Sequence, residues 1–105
     1  MNIRMGGGAV RCRISCEELE FLLTGKKLEE PLTLAGKTVL LTIDPAGESL
    51  SLIYEEGRIG LKAPVNLLRE LDQKGRQKNG IAQEVGGASL SLQVDLKTYA
   101  KAGRA

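Results

Sequence analysis

Three arginines near the start of the chain, Arg4, Arg11 and Arg13, form the charged cluster best suited to contacting an anion. Arg11 and Arg13 alternate with apolar residues at positions 10–14, and this period of two predicts a strand with one buried and one exposed face. Glycines 6–8 allow the chain to reverse, so we predict a hairpin in which Arg4 faces Arg11. Like charges directly opposite each other destabilise a ladder. The pair therefore requires full solvent exposure, a carboxylate from elsewhere in the chain, or an anionic ligand.

Two interpretations of this arginine cluster stay open. Exposure to water, or salt bridges to acidic residues of neighbouring elements, would make its role structural, whereas contact with an anion or a nucleic acid would make it functional. The aromatic residues Phe21, Tyr54 and Tyr99 all lie elsewhere in the sequence. Single-stranded nucleic acid binds largely by stacking on aromatic side chains. We therefore treat the three arginines as candidate binding residues for an anion, and the sequence disfavours nucleic acid without excluding it.

Cys12 and Cys16 carry the other side chains with distinctive chemistry. Thiolates bind zinc, but the chain has no histidine and two thiolates do not complete a closed tetrahedral site, so we predict no metal. A helix N-terminus favours a thiolate, so Cys16, at the start of a predicted helix, could be reactive. Without a histidine base, ordinary cysteine hydrolase chemistry is not expected. Two structural thiols in a reducing compartment are preferred, with a reactive Cys16 as the alternative.

Glycines 6–8 and the acidic pairs 29–30 and 55–56 are weaker candidates for a site. The glycine run lacks the Gly-Lys-Ser/Thr ending of a phosphate loop and leads into a strand, so a turn is preferred. The members of each acidic pair are adjacent, and neighbours on a strand point to opposite faces, so we expect solvated edges instead of paired catalytic carboxylates. With no histidine and no recognisable catalytic constellation, the protein is not expected to be an enzyme.

The arginine-bearing strand leads directly into a predicted helix. Ser15 and Glu18 have the spacing of a capping box, in which each side chain bonds the other residue's backbone N–H. Ile14 and Leu19 occupy the positions of a hydrophobic staple, and Gly25 is placed to end the helix in a left-handed conformation. We therefore predict a helix of about two turns immediately after the arginines.

Positions 3–15 have the pattern I-R-x-x-G-x-x-[IV]-R-x-R-[IL]-S, followed by Glu18, Gly25 and the acidic pair 29–30. This stretch resembles the opening of a family of small uncharacterised bacterial proteins, and the resemblance covers mainly residues 1–30. Cys12 departs from the family's pattern, in which an aromatic residue is usual. The family carries no assigned activity, cofactor or catalytic residue. The resemblance therefore implies a single bacterial domain and no particular chemistry.

Downstream of the first helix, alternating apolar positions predict further strands, and helical spacing after a proline predicts a second helix. Val39, Leu41 and Ile43 mark the expected buried face of the second of these strands. The predicted elements are strands at 32–34, 38–43, 49–54 and 59–63, a helix from Pro64 to Gly75, an exposed connection at 76–80, and a hairpin at 81–96.

The predicted order of elements is ββαββββαββ. Connections between sequential strands are short and short connections make antiparallel neighbours, so we predict an α+β fold with an antiparallel sheet of about eight strands, the middle four forming a meander. Two short helices leave one face poorly covered, so the sheet should be curled or partly barrel-like, or should pair with a second subunit. We predict one globular domain at residues 1–96 and a tail at 97–105 that frays or docks on a partner.

Composition narrows the functional classes. A net charge of +2 is too small for a dedicated nucleic-acid binder, and no apolar run is long enough for a membrane span or a signal peptide. We therefore predict a small cytoplasmic binding or protein-interaction module without a cofactor. The alternative is a thiol-dependent redox protein or non-catalytic enzyme subunit using Cys16. The regular strand at 88–96 has an edge that could pair with a copy of itself, so a homodimer, or a complex with another protein, is expected.

Overall fold

The computed structural model describes residues 1–73 and 80–95, which form eight strands and two helices in the predicted order. The elements are β1 (Asn2–Gly6), β2 (Ala9–Ile14), α1 (Cys16–Leu23), β3 (Leu28–Leu34), β4 (Lys37–Asp44), β5 (Ser51–Glu55), β6 (Arg58–Lys62), α2 (Val65–Gln73), β7 (Ile81–Val85) and β8 (Ala88–Val94). The predicted helix end at Gly75, most of the connection 76–80, Leu96 and the predicted tail 97–105 lie outside the described residues.

The opening hairpin has the predicted register. Arg4 of β1 lies directly opposite Arg11 of β2, and the pairing continues to Gly6 and Ala9. The turn between the strands is Gly7 and Gly8, with φ angles of 57° and 76° that glycine adopts without steric cost. Because opposite residues share a face, both arginines project from the same side of the hairpin.

The capping box of α1 is also confirmed. The Ser15 hydroxyl accepts a hydrogen bond from the N–H of Glu18 at 3.0 Å, and the Glu18 carboxylate accepts one from the N–H of Ser15 at 2.9 Å. Gly25 follows the helix with a φ of 87°, as expected for a glycine that ends an α-helix in the left-handed backbone conformation. The second helix, α2, begins at Val65, one position after Pro64, whose carbonyl accepts the first helical hydrogen bonds.

The strands form two four-stranded mixed sheets, so the α+β class is confirmed but the single antiparallel sheet is wrong. One sheet has the order β1-β2-β8-β7 and the other β3-β4-β6-β5, and neither closes into a barrel. Each sheet has a parallel pair at its centre, β2 with β8 and β4 with β6.

The predicted meander fails at β5. After β4 the chain crosses to the far edge of the sheet to form β5, and β6 then returns between β4 and β5. The segment that joins β4 to β5 only has to span two interstrand spacings, about 10 Å, so a short connection does not require sequential strands to be neighbours.

The topology contains an internal repeat that the sequence analysis missed. Each half of the chain has the order ββαββ, from β1 to β4 around α1 and from β5 to β8 around α2. In each half, the first hairpin has a two-residue turn and forms two adjacent strands of one sheet. The second hairpin forms two strands of the other sheet, beside the first hairpin of the opposite half. The two halves therefore exchange hairpins, and both parallel pairs join strands of different halves.

A single hydrophobic core draws on both sheets and both helices. Strand β2 alternates between buried and exposed side chains as predicted, β8 alternates between buried apolar residues and exposed or half-buried polar ones, and both strands lie in the interior of their sheet. The edge of β8 is therefore paired on both sides, and the predicted self-pairing through that strand is wrong. On β4, only Ile43 of the three expected core residues is fully buried, and Val39 and Leu41 are half-buried.

Candidate functional site

The arginine cluster lies on the outer face of the β1-β2-β8-β7 sheet, opposite the core. Arg4 pairs across the ladder with Arg11, and Arg13 lies two residues further along β2 on the same face. All three side chains are exposed. Cross-strand neighbours of this kind are about 5 Å apart, and positions two residues apart on a strand about 7 Å. The three arginine side chains therefore project from neighbouring positions on one surface of the sheet.

Three polar residues extend this arginine face across the sheet. Asn2 is opposite Arg13 on β1, and Ser91 and Gln93 of β8 are parallel partners of Arg11 and Arg13. Together these residues line a shallow depression of about 300 Å³. Asn2 follows from the predicted hairpin register but was not singled out. Ser91 and Gln93 could not be placed on this face from the sequence, because β8 joins β2 only through a pairing that spans most of the chain. Their polar alternation on a predicted strand was visible, but not the neighbour of that strand.

Among the described residues, no salt bridge neutralises the positive charge of the arginine face. In residues 1–73 and 80–95, no carboxylate forms a salt bridge with Arg4, Arg11 or Arg13. Glu84 shares the face, but it pairs with Ser89 and lies two strands from Arg11. Of the three explanations for the opposed arginines, an internal carboxylate is therefore absent from the described part of the chain, which leaves solvent exposure or an anionic ligand.

The chemistry available on this face is recognition of negative charge. Each guanidinium carries a positive charge and offers five N–H donors in a planar fork. The amides of Asn2 and Gln93 and the hydroxyl of Ser91 can add neutral donors at the margin of the depression. These groups can hold and orient an anion, but an arginine does not supply a general base near neutral pH.

Both cysteines are buried and neither forms a disulfide. Burial raises the pKa of the Cys12 thiol to about 12, because the thiolate would lose its hydration in the core. Cys16, the first residue of α1, is only 1% exposed. A reactive thiol must be accessible to its reaction partner, and the Cys16 side chain is too deeply buried for that.

The other motifs have the structural roles that the sequence favoured. Glycines 6–8 end β1 and form the hairpin turn. Glu29 and Glu30 point to opposite faces of β3, and Glu29 forms an exposed salt bridge with Arg58 at 3.3 Å. Among the described residues, no group of three or more cysteine or acidic side chains is arranged to hold a metal ion. None of their helices is long and apolar enough to cross a membrane.

Comparison with models of known families, with curated proteins and with solved structures finds no match to this chain.

Proposed function

We propose that this protein is a small binding module, not an enzyme, that holds an anionic ligand on its arginine face. The observation that carries the proposal is the opposition of Arg4 and Arg11 without a salt bridge to either residue in the described chain. Two guanidinium groups across a ladder repel each other, so a bound anion would convert an unfavourable arrangement into a favourable one.

The spacing of the face defines the class of ligand. The Cβ atoms of Arg4 and Arg11 are separated by about 5 Å across the strands, and those of Arg11 and Arg13 by about 7 Å along one strand. A ligand with two or more anionic groups a few ångströms apart, such as an oligophosphate or a polycarboxylate, could contact more than one arginine at once. A single phosphate would engage fewer donors and should bind more weakly.

The burial of Cys16 argues against the alternative of a thiol-dependent redox protein. The same two reduced thiols are what a protein of a reducing compartment would carry, so we assign it to the bacterial cytoplasm as part of this proposal. The partner would be the anion itself or a protein that presents it.

The test is thermal unfolding and calorimetry with sulfate, phosphate, pyrophosphate, tripolyphosphate, citrate and a short RNA, at low ionic strength. Binding should raise the melting temperature with the logarithm of ligand concentration, and added salt should reduce the rise. Tripolyphosphate should give a larger shift than phosphate at equal concentration. A larger shift with RNA than with tripolyphosphate would identify nucleic acid as the preferred ligand instead.

Arg11→Gln and Arg69→Gln form a matched pair, because each removes one positive charge from an exposed side chain and Arg69 lies on α2, away from the arginine face. The ligand shift should fall in Arg11→Gln and persist in Arg69→Gln. Arg11→Thr should leave the free energy of unfolding unchanged to within about 0.5 kcal/mol, or raise it, since threonine favours strands and one repulsion is removed. The absence of a shift with every polyanion, or equal losses in the matched pair, would refute an anion site.

A further inference from the structure

The β3-β4-β6-β5 sheet carries apolar side chains that lie on one face but outside the core. The pairings Leu32–Val39, Leu41–Ile59 and Ile59–Tyr54 place these residues on that face, and Leu52 joins it through its pairing with Leu61. None of the face's members belongs to the core cluster or packs against it. We call this set the apolar sheet face, and it comprises Leu32, Leu34, Val39, Leu41, Leu52, Tyr54 and Ile59.

Four side chains of this face are well exposed to solvent. Tyr54 is 79% exposed, Leu34 58%, and Leu32 and Leu52 39% each, while Val39, Leu41 and Ile59 are half-buried. The four exposed side chains alone present on the order of 400 Å² of surface, which is within the range of the largest apolar patch on a typical monomer, about 300–600 Å². Patches of this size are often functional.

The same sheet shows where the core stops. Ile43 and Leu61 lie further along the same face and are fully buried, and Leu28 packs against the core beside them. Beyond this buried end the face carries apolar side chains at four positions and charged ones at two, and nothing in the described chain covers the tip of the hairpin. The apolar positions are Leu32, Leu34, Val39 and Leu41, and the charged ones are Glu30 and Lys37. The sequence therefore keeps a core-like pattern on strands that extend beyond the core of one molecule.

We propose that the occupant of the apolar sheet face is a second copy of this chain, packed face to face about a twofold axis. The charges on the face are self-complementary, because it carries one acid, Glu30, and one base, Lys37. Glu30 and Lys37 lie two residues to either side of the Leu32–Val39 pair. A twofold axis through that pair and across the strands brings Glu30 of each protomer towards Lys37 of the partner subunit.

The area agrees with a small dimer. A stable interface buries about 800 Å² on each partner. The exposed apolar side chains supply about half of this, and the half-buried members with the surrounding polar rim can supply the rest. Edge pairing through β3 is hindered, because Pro31 in that strand has no N–H to donate. The dimer surface lies on the other sheet from the arginine face, so the two proposals can fail separately.

The experiment is sedimentation equilibrium of the full chain from micromolar to millimolar concentration, with circular dichroism to verify folding. We expect a monomer–dimer equilibrium in the parent protein. Tyr54→Lys and Leu34→Lys should weaken the dimer at least about tenfold, because each places a charge in the interface. Phe21→Lys is the control, since Phe21 is 42% exposed on α1 and its replacement should leave the dimer intact.

A charge exchange tests the twofold arrangement itself. Glu30→Lys should weaken the dimer by placing like charges near each other, and the double variant Glu30→Lys with Lys37→Glu should restore it. A parent protein that stays monomeric at millimolar concentration would overturn the proposal. So would a dimer that Tyr54→Lys and Leu34→Lys do not weaken. If the parent protein is a monomer and Tyr54→Lys lowers its free energy of unfolding, the chain itself covers the apolar sheet face. That result would also overturn the proposal.

Discussion

Replacement of Gly60 with alanine tests the central parallel pair β4–β6, which the sequence analysis did not anticipate. Gly60 pairs with Thr42, and a methyl group at Gly60 would lie 1.7 Å from the Thr42 carbonyl oxygen and 2.8 Å from its carbonyl carbon. Real side chains essentially never approach backbone atoms closer than about 3.0 Å. The two strands would have to separate by more than about 1 Å, which is enough to break their hydrogen bonds.

The structure therefore predicts a large effect from one methyl group. Overpacking together with loss of part of a central ladder should cost about 3–5 kcal/mol. The free energy of unfolding of a domain of this size is about 5–15 kcal/mol, so the variant should lose a large share of its stability. Since 1 kcal/mol corresponds to about 4–8 °C in a domain near this length, the melting temperature should fall by about 12–40 °C.

Urea denaturation followed by circular dichroism measures this loss, and Gly57→Ala is the matched control. Gly57 lies in the β5–β6 turn with a φ of 75°, and an added methyl there meets no atom within 4 Å. Only backbone strain is expected, about 1 kcal/mol. If Gly60→Ala were no more destabilising than Gly57→Ala, then β6 would not lie against β4 in this register and the topology would be wrong.

Three further predictions concern the first helix and the buried thiols. Ser15→Ala should destabilise the protein by about 1 kcal/mol in urea denaturation, whereas an unchanged midpoint would mean that the capping box contributes nothing. Burial raises the pKa of Cys12 from 9.0 to about 12, so between these values the unfolded chain binds fewer protons than the folded protein. The free energy of unfolding should therefore be independent of this group below about pH 9 and fall by about 1.4 kcal/mol per pH unit above it, and Cys12→Ala should lack that slope. Ellman's reagent should modify Cys12 and Cys16 only after denaturation, and rapid reaction of the folded protein would contradict their burial.

Local features were predictable because their energy depends on residues close together in the sequence. The register between Arg4 and Arg11 follows from two alternating patterns joined by glycines, and the Ser15–Glu18 capping box from a spacing of three. The order of strands and helices followed from the same periodicities and turn residues. The sequence by itself therefore determined the elements and placed three arginines on one exposed face.

Only the tertiary structure decided which strands are neighbours. The backbone groups that join β2 to β8 and β4 to β6 are the same for every residue type, and an alternating pattern shows which face is buried without naming the partner strand. Ser91 and Gln93 therefore lie on the arginine face because of a strand pairing that no local sequence signal predicts. For the same reason, the alternation that predicted a buried Leu41 did not reveal that the core of one molecule ends before it. Burial depends on how far helices and the opposite sheet extend over a strand, and that is a property of the assembled fold.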